Sequence, residues 1–306
     1  MTFSTMEKTV IVTGANSGIG FETAKALAGQ GWNVGLVCRN LDRGTKALEA
    51  IQGATGSKAL KLFIADLSLE QDIFKVTEEI QAWTRLLHVL VNNAGGYFNQ
   101  KSLTSEGIEY TMALNHLGYF RLTLALWPLL SGTASQVQAD DPVRIVNVSS
   151  EAHRMGKIVI SDLANPAKYK AFPLYGDSKL ANIFFTQELA KRITSQGLKM
   201  VTNSLHPGFV RTSFGKQENP SLGSRIFGFL NKHFAIPQEQ GAQTSIFLAT
   251  SAEGALHSGM YWSKSALATP RSNTENPVIQ QELWKWSLEK SPTLRNKNIL
   301  PEFLLL

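Results

Sequence analysis

The chain has 306 residues, of which 43% are apolar and 18% charged. That composition supplies one large core and excludes a disordered chain. The formal net charge of +6 is a mild excess with no run of five basic residues, so no nucleic-acid partner is expected.

Thr9–Thr13 is a short β-branched run that suits a buried strand, and a helical pattern follows from Phe21 to Gln30. Asn33–Arg39 reads as a second strand and Asp42–Gln52 as a second helix with Asp42 as N-cap. Ala59–Leu67 and Leu69–Arg85 repeat the alternation, as do strand His88–Asn92 and a long helix over Leu103–Leu130, stopped by Ser131-Gly132. Thr133–Pro142 reads as a surface loop, Arg144–Ser149 as the fifth strand and Glu151–Pro173 as irregular. A helix running on from Asp177, strand Met200–Leu205, helix Gln238–Thr250, a short strand at Met260–Ser263 and helix Pro277–Glu289 complete the pattern, the last with Asn276 as N-cap and Pro277 at its first position. Strand and helix alternate at least six times, which predicts a doubly wound parallel sheet with helices on both faces.

The single cysteine, Cys38, excludes an intrachain disulfide, fits a reducing compartment and is expected to be inert in the core. The apolar stretch near Leu122–Leu130 is too short to span a bilayer and holds Pro128. The expectation is a cytoplasmic protein with no transmembrane segment.

Thr13-Gly14-x-x-x-Gly18-x-Gly20 falls between the first strand and first helix. Glycines there permit a tight turn and a close approach to a pyrophosphate, which the free amides of the helix would hold. The end of the second strand distinguishes cofactors: a carboxylate holds the ribose hydroxyls of NAD, whereas an arginine accommodates the 2′-phosphate of NADP. Here it reads Cys38-Arg39-Asn40, which points to NADP(H), although a solvated Arg39 and the nearby Asp42 are the competing readings. Asp66 ends the third strand and either accepts from an adenine amine or caps the next helix.

Tyr175 and Lys179 lie four residues apart and would share one helix face. An ammonium fixed beside a phenol favours the phenolate and pulls down a pKa of about 10. Such a pair can be a tuned proton donor and acceptor; taken alone, it reads first as two exposed residues of an ordinary helix.

In order, Thr13-Gly-Ala-Asn-Ser-Gly-Ile-Gly20, Asp66-Leu67, Asn92-Asn-Ala-Gly95, Ser149-Ser150, Tyr175-x-x-x-Lys179 and His206-Pro207-Gly208-Phe-Val210-x-Thr212 resemble the short-chain dehydrogenase/reductase family over about residues 8–290. Asn115-His-Leu-Gly-Tyr-Phe120, Leu180-Ala-Asn182 and Glu239-x-Gly-Ala-Gln243 are similar to its retinol dehydrogenase-like branch. The resemblance implies one Rossmann domain over residues 1–306; the glycines, prolines and aromatics of 206–237 read as a lid and 291–306 as a tail. It implies that Tyr175 protonates a carbonyl oxygen as hydride arrives. Lys179 would hold the nicotinamide ribose, Ser150 would stabilise the developing charge, and Asn115 would hold a water leading to Lys179. Gly14, Ser17, Gly18, Ile19 and Gly20 would form the phosphate turn. Arg39, Asn40, Asp66 and Leu67 would hold the adenosine end, and Asn93, Ala94 and Gly95 would line the cofactor. Pro207, Gly208, Val210 and Thr212 would form the carboxamide loop. No metal is implied. Ser149 is the rival of Ser150, and the long gap from Ser150 to Tyr175 would place Glu151–Pro173 at the substrate mouth.

Phe209, Phe214, Ile226, Phe227, Phe229, Leu230 and Phe234 suggest a cover for an apolar substrate, with Tyr97, Phe98 and His153 as further lining or, for His153, a surface residue. The expected activity is NADP(H)-dependent reduction of an apolar aldehyde or ketone, retinal-like or long-chain, or the reverse oxidation. The alternatives are an NADP-binding sensor or interaction protein without turnover and, last, a nucleotide-sugar epimerase. The apolar tail Ile299–Leu306 leaves peripheral membrane contact, oligomer packing, docking on the chain's own body and disorder open. A homo-oligomer is suggested by family analogy alone.

Overall fold

The computed structural model describes residues 7–210, 236–270, 274–297 and 299–305. Strands β1 (Thr9–Thr13), β2 (Asn33–Cys38), β3 (Leu60–Ile64), β4 (Val89–Asn92), β5 (Val143–Val148), β6 (Met200–His206), β7 (Tyr261–Ser263) and β8 (Ala266–Leu267) form one sheet. Their order is β3-β2-β1-β4-β5-β6-β7-β8. Neighbours pair in parallel except β7 with β8, which form an antiparallel edge hairpin. The order reverses between β1 and β4, and a crevice opens there beyond the carboxyl ends of the strands.

Around the sheet lie α1 (Gly18–Gly29), α2 (Leu41–Thr55), α3 (Glu70–Trp83), α4 (Tyr110–Met112), α5 (Gly118–Ala125), α6 (Trp127–Ala134), α7 (Ala171–Ser195), α8 (Gln238–Thr250), α9 (Ala252–Leu256), α10 (Pro277–Glu289), α11 (Pro292–Asn296) and α12 (Glu302–Leu305). Alternate residues of each strand face opposite sides. Val10, Val12, Val34 and Leu36 pack with Ala24, Leu27 and Leu248 in one core. Ile11, Val37, Leu90 and Ile145 pack with Ile73, Leu122 and Phe185 in the other. Parallel strands covered on both faces are apolar throughout, which is why these segments read as unbroken runs.

Several elements differ from the sequence expectation. Asn40, not Asp42, caps α2: its side-chain oxygen accepts from Arg43 N at 3.0 Å, and Gly56 ends the helix at φ +69°. The third strand ends at Ile64, short of Leu67. The long helix expected over Leu103–Leu130 begins only at Tyr110, after a turn in which Gly107 takes φ +72°. It then passes through a π-turn at Ala113–Leu117, re-forms as α5, and runs on in α6 to Ala134, beyond the expected stop. The polar Ser131 and Thr133 do not break α6, because their hydroxyls bond back to the carbonyls of Trp127 and Leu129. Within Glu151–Pro173 lie short 3₁₀ turns at Glu151–Met155 and Ile160–Asp162. Helix α7 starts at Ala171, with Pro173 in its first turn, where a missing N–H costs no helical hydrogen bond.

The tail docks on the chain's own body. Leu294, Leu300 and Leu304 are buried in the core that Phe120, Trp127, Phe185 and Leu189 also form. Trp284 of α10 packs edge-on against Phe120 with centroids 5.0 Å apart, and the Arg192 guanidinium lies 4.3 Å from its ring centre. Its Nε1 donates to Leu304 O at 3.0 Å. The Glu70 carboxylate accepts from Thr293 N at 3.0 Å and Thr293 Oγ1 at 2.8 Å, fastening α11 to the start of α3. Most of the expected lid, including Phe214, Ile226, Phe227, Phe229, Leu230 and Phe234, lies outside the described residues.

Trp284→Ala removes a large buried ring at the junction of α5, α7 and the tail. It is expected to lower unfolding free energy by about 3–5 kcal/mol, read from urea denaturation.

Candidate active site

Two loops meet at the crevice. Thr13 Oγ1, at the end of β1, accepts from Asn93 N at 2.8 Å and Ala94 N at 2.9 Å, and donates to Val91 O at 3.3 Å. Asn93 Nδ2 returns to Thr13 O at 2.8 Å. These bonds hold the β4 loop so close to the glycine turn that side chains are excluded. Gly14 takes φ +66°, and a Cβ there would lie 2.9 Å from Ala94 Cα. A Cβ on Gly20 would lie 2.4 Å from Asn93 Nδ2 and 2.5 Å from Gly14 O. Ser17 begins α1 with no side-chain cap on its amides, and a Cβ at Gly18 would meet nothing within 4 Å. The turn therefore presents backbone donors and open space to an external acceptor, as a pyrophosphate requires. Ile19 packs on the same side as Val210 and Gly241, and Leu67 is buried beneath Gly118.

At the end of β2, Arg39 is exposed. Its guanidinium donates to the hydroxyl of Tyr110 and lies 3.9 Å from Asp66 Oδ2. Asp66 does not cap α3. Its Oδ1 closes a local turn by accepting from Ser68 N at 3.0 Å and Ser68 Oγ at 2.7 Å, while the first amide of α3, on Glu70, goes to the Glu106 carboxylate at 2.6 Å. Tyr110 had no distinguishing signal in the sequence; only the fold brings it from α4 to Arg39 and Asp66. Phe98 packs edge-on against Tyr110 with centroids 4.8 Å apart.

Beyond β4 and β5 the remaining candidates converge. Asn115 sits in the π-turn, fully buried, where the extra residue per turn aims its side chain out of the helix register. Its Oδ1 accepts from Gly96 N at 2.8 Å, and its Nδ2 donates to Gly96 O at 2.9 Å and Ser178 Oγ at 3.0 Å. A Cβ on Gly95 would lie 3.0 Å from Asn115 Oδ1 and 3.5 Å from Lys179 Nζ, which places the Gly95 backbone directly over both. The two serines have different surroundings. Ser149 is buried and donates to Lys179 O at 2.7 Å. Ser150 is partly exposed, accepts from Ala152 N at 3.2 Å, and hydrogen-bonds the Tyr175 phenol.

Lys179 is 3% exposed, with Nζ donating to Val148 O at 3.0 Å and 5.7 Å from the ring centres of Tyr119 and Tyr175. Burial lowers its pKa to about 7. The Tyr175 phenol was expected below its ordinary range; burial instead pushes it up, and only the Ser150 hydrogen bond opposes this. Lys179, whose charge burial weakens, lies over the ring and donates to a backbone carbonyl, not to the phenol oxygen.

Tyr97 packs edge-on against Tyr175 at 6.0 Å and against Phe172 at 6.4 Å. His153 is fully buried, neither a surface histidine nor an open contact: Nδ1 meets Ser150 O at 2.7 Å and the ring packs on Tyr261. His206 was passed over as a side chain. Its Nδ1 accepts from Glu151 N at 3.3 Å and Gly208 N at 3.4 Å, joining the loops after β5 and β6. Pro207, Gly208 and Val210 follow β6, and Val210 bridges to Ile236, while Thr212 lies outside the described residues. Cys38 is buried, and desolvation pushes its thiol up to about 11, leaving it inert.

Residues 8–223 match the family model described as short chain dehydrogenase. The chain is similar to retinol dehydrogenase 11 of Homo sapiens, 39% identical over 92% of this chain and 85% of that protein. It is also similar to retinol dehydrogenase 12 of Homo sapiens, 38% identical over the same shares. Among solved structures, a putative uncharacterized protein from Mycobacterium Paratuberculosis superposes with a TM-score of 0.73 at 26% identity, covering 93% of each chain.

In the unfolded chain Lys179 titrates near its ordinary value of about 10.4. Between pH 7 and that value the unfolded state binds the extra proton, so stability rises with pH as the burial cost of the ammonium is relieved. Lys179→Met is therefore expected to be more stable than the parent at pH 6. The margin should shrink toward pH 10, as followed by urea unfolding across pH.

Proposed function

The chain belongs to the short chain dehydrogenase family, in its retinol dehydrogenase-like branch, and we propose that it reduces an apolar aldehyde or ketone with NADPH, or oxidises the corresponding alcohol with NADP. The observation that carries this reading is the meeting of Ser150, Tyr175 and Lys179 at the carboxyl ends of β4 and β5, beside the open glycine turn.

Gly14, Gly18 and Gly20 with the α1 amides would hold the pyrophosphate, and Asn93, Ala94 and Gly95 the face of the cofactor. When bound, the nicotinamide supplies or takes the hydride. The chain's own residues handle the proton and the charge. Ser150 donates to the substrate oxygen and offsets the negative charge that grows there. Tyr175, already hydrogen-bonded to Ser150, sits on the same oxygen and delivers its proton. An ammonium has three donors. One of those on Lys179 is engaged by Val148 O, leaving two for the ribose hydroxyls and the path to Tyr175. A lysine with a pKa of about 7 also exchanges protons readily at neutral pH.

Arg39 supports NADP(H), since the residues that end β2, Cys38-Arg39-Asn40, offer a guanidinium, with the Asp66 carboxylate of the next loop 3.9 Å from it. The cap on α2 already engages the Asn40 side chain, which assigns it to shaping the turn. An apolar substrate is supported by the mouth. Tyr97 packs against both Tyr175 and Phe172, and Met155 and Phe209 are exposed on the loops that leave Ser150 and His206. Among the described residues, no helix is long and apolar enough to cross a membrane.

The test is NADPH oxidation against retinal, decanal, a diketone and a quinone, with NADH in parallel. Turnover preferring NADPH and abolished in Tyr175→Phe is expected; binding without turnover on any substrate would favour the sensing role. In Arg39→Ala, loss of a charge-assisted contact worth about 1.5–3 kcal/mol should raise KM for NADPH roughly 10- to 100-fold and leave KM for NADH unchanged. An equal change for both nucleotides would remove Arg39 from phosphate recognition.

A further inference from the structure

Tyr110 reaches the cofactor end of the crevice from an element that supplies neither the glycine turn nor the proton-handling groups. It opens α4, where its own N–H donates to Ser102 O at 3.0 Å and the Glu109 carboxylate caps the helix by accepting from Met112 N at 3.1 Å. Its half-buried ring is the one that packs edge-on against Phe98. Phe98 is held in turn, since its carbonyl accepts from the hydroxyl of Tyr169. Backbone and ring together bring the phenol oxygen to one place, the gap between Arg39 and Asp66.

That oxygen makes two contacts of opposite sense. It accepts from Nη1 of Arg39, and its O–H donates weakly to Asp66 Oδ2 at 3.4 Å. Burial first, and then the Asp66 charge, raise the phenol pKa, so the proton stays on and the donor persists at neutral pH. Without the phenol oxygen the guanidinium and the carboxylate could close on each other, since Nη1 and Oδ2 are already 3.9 Å apart. Such a pair favours two parallel N–H···O bonds, which would occupy an edge of the guanidinium that a phosphate needs. In the structure Asp66 Oδ1 is instead taken by Ser68 N at 3.0 Å and Ser68 Oγ at 2.7 Å, and Oδ2 faces the phenol. Among the described residues Nε and Nη2 of Arg39 have no partner, which leaves one edge of the fork open.

We propose that Tyr110 is a positioning residue that sets cofactor specificity: its phenol holds the Arg39 guanidinium off the Asp66 carboxylate, with the open edge left for the 2′-phosphate of NADP(H). Arg39 needs such a hold because its side chain is 63% exposed. A long exposed side chain samples many rotamers, and a ligand that must order it binds more weakly for that reason. Tyr110 does the ordering in advance. A neutral hydroxyl suits the task, because it fixes the guanidinium without cancelling the charge that attracts the phosphate. NADH carries a hydroxyl where NADPH carries the phosphate, so the effect is confined to the phosphorylated nucleotide.

The inference rests on the NADP(H) reading of the site, and its test is read by binding alone. NADPH and NADH are titrated calorimetrically, without carbonyl substrate, into the parent, Tyr110→Phe, Arg39→Ala and the double variant. Tyr110→Phe keeps the ring against Phe98 and removes only the hydroxyl. Loss of that one hydrogen bond to a charged group is expected to weaken NADPH roughly tenfold and to leave NADH within about twofold of the parent. In the Arg39→Ala background the same substitution should change NADPH affinity by less than about twofold, because the hydroxyl then has nothing to hold. An unchanged or raised NADPH affinity in Tyr110→Phe overturns the proposal. So does an equal loss for NADH, which would make Tyr110 a general part of the adenosine site. An additive loss in the double variant overturns it as well, by placing the hydroxyl on the nucleotide itself. A parent that binds NADPH no better than NADH sinks the NADP(H) reading, and this inference with it, before any variant is compared.

Discussion

A lysine ammonium taken out of water must be given acceptors, or it loses its charge. At Lys179 the ammonium donates to one backbone carbonyl among the described residues, Val148 O, and the rings of Tyr119 and Tyr175 lie 5.7 Å from the ammonium. The surrounding structure serves this arrangement. The Lys179 carbonyl is held by Ser149, the preceding turn by Ser178 and Asn115, and Val148 O by Asn182. A group left half-discharged at neutral pH is costly for stability and suited to moving protons, the trade that functional sites commonly make.

The second constraint is the distance between two loops. Thr13 binds the β4 loop to the glycine turn through one hydroxyl, and this closeness dictates glycine at positions 14 and 20. Strand order makes the encounter unavoidable, since β1 and β4 are neighbours at the point where the sheet reverses. Cofactor cradle and proton-handling groups therefore share one crevice, although 80 residues of sequence separate Thr13 from Asn93.

The C-terminal helices add a brace. Trp284, Leu294, Leu300 and Leu304 complete a core begun by α5 and α7, and the Glu70 carboxylate fastens α11 to α3. Because α7 carries Tyr175 and Lys179 on its crevice side, packing at its back bears on the rigidity of the site in front. Buried hydroxyls of Ser287 and Ser291 extend the connection by hydrogen bonds.

Local chemistry determined much by itself. Unbroken β-branched runs marked buried strands. The glycines of Gly14, Gly18 and Gly20 marked the phosphate turn, Asn276-Pro277 marked the start of α10, and four-residue spacing put Tyr175 and Lys179 on one helix face. Each of these depends on interactions within a few residues. The tertiary structure decided the rest. The π-turn at Asn115 breaks a pattern that reads as continuous helix, because its hydrogen bonds run to Gly96 and Ser178 from distant segments. The amide of Glu70 at the start of α3 goes to Glu106, 36 residues away, which left Asp66 free for a local turn. Burial of Tyr175 reversed the pKa direction that its neighbour alone implied. Tyr110, His116 and Asn182 acquire their surroundings only when α4, the π-turn, α7 and α10 pack together. Desolvation and long-range hydrogen bonds depend on what surrounds a residue in space, and residue order does not specify that until the chain has folded.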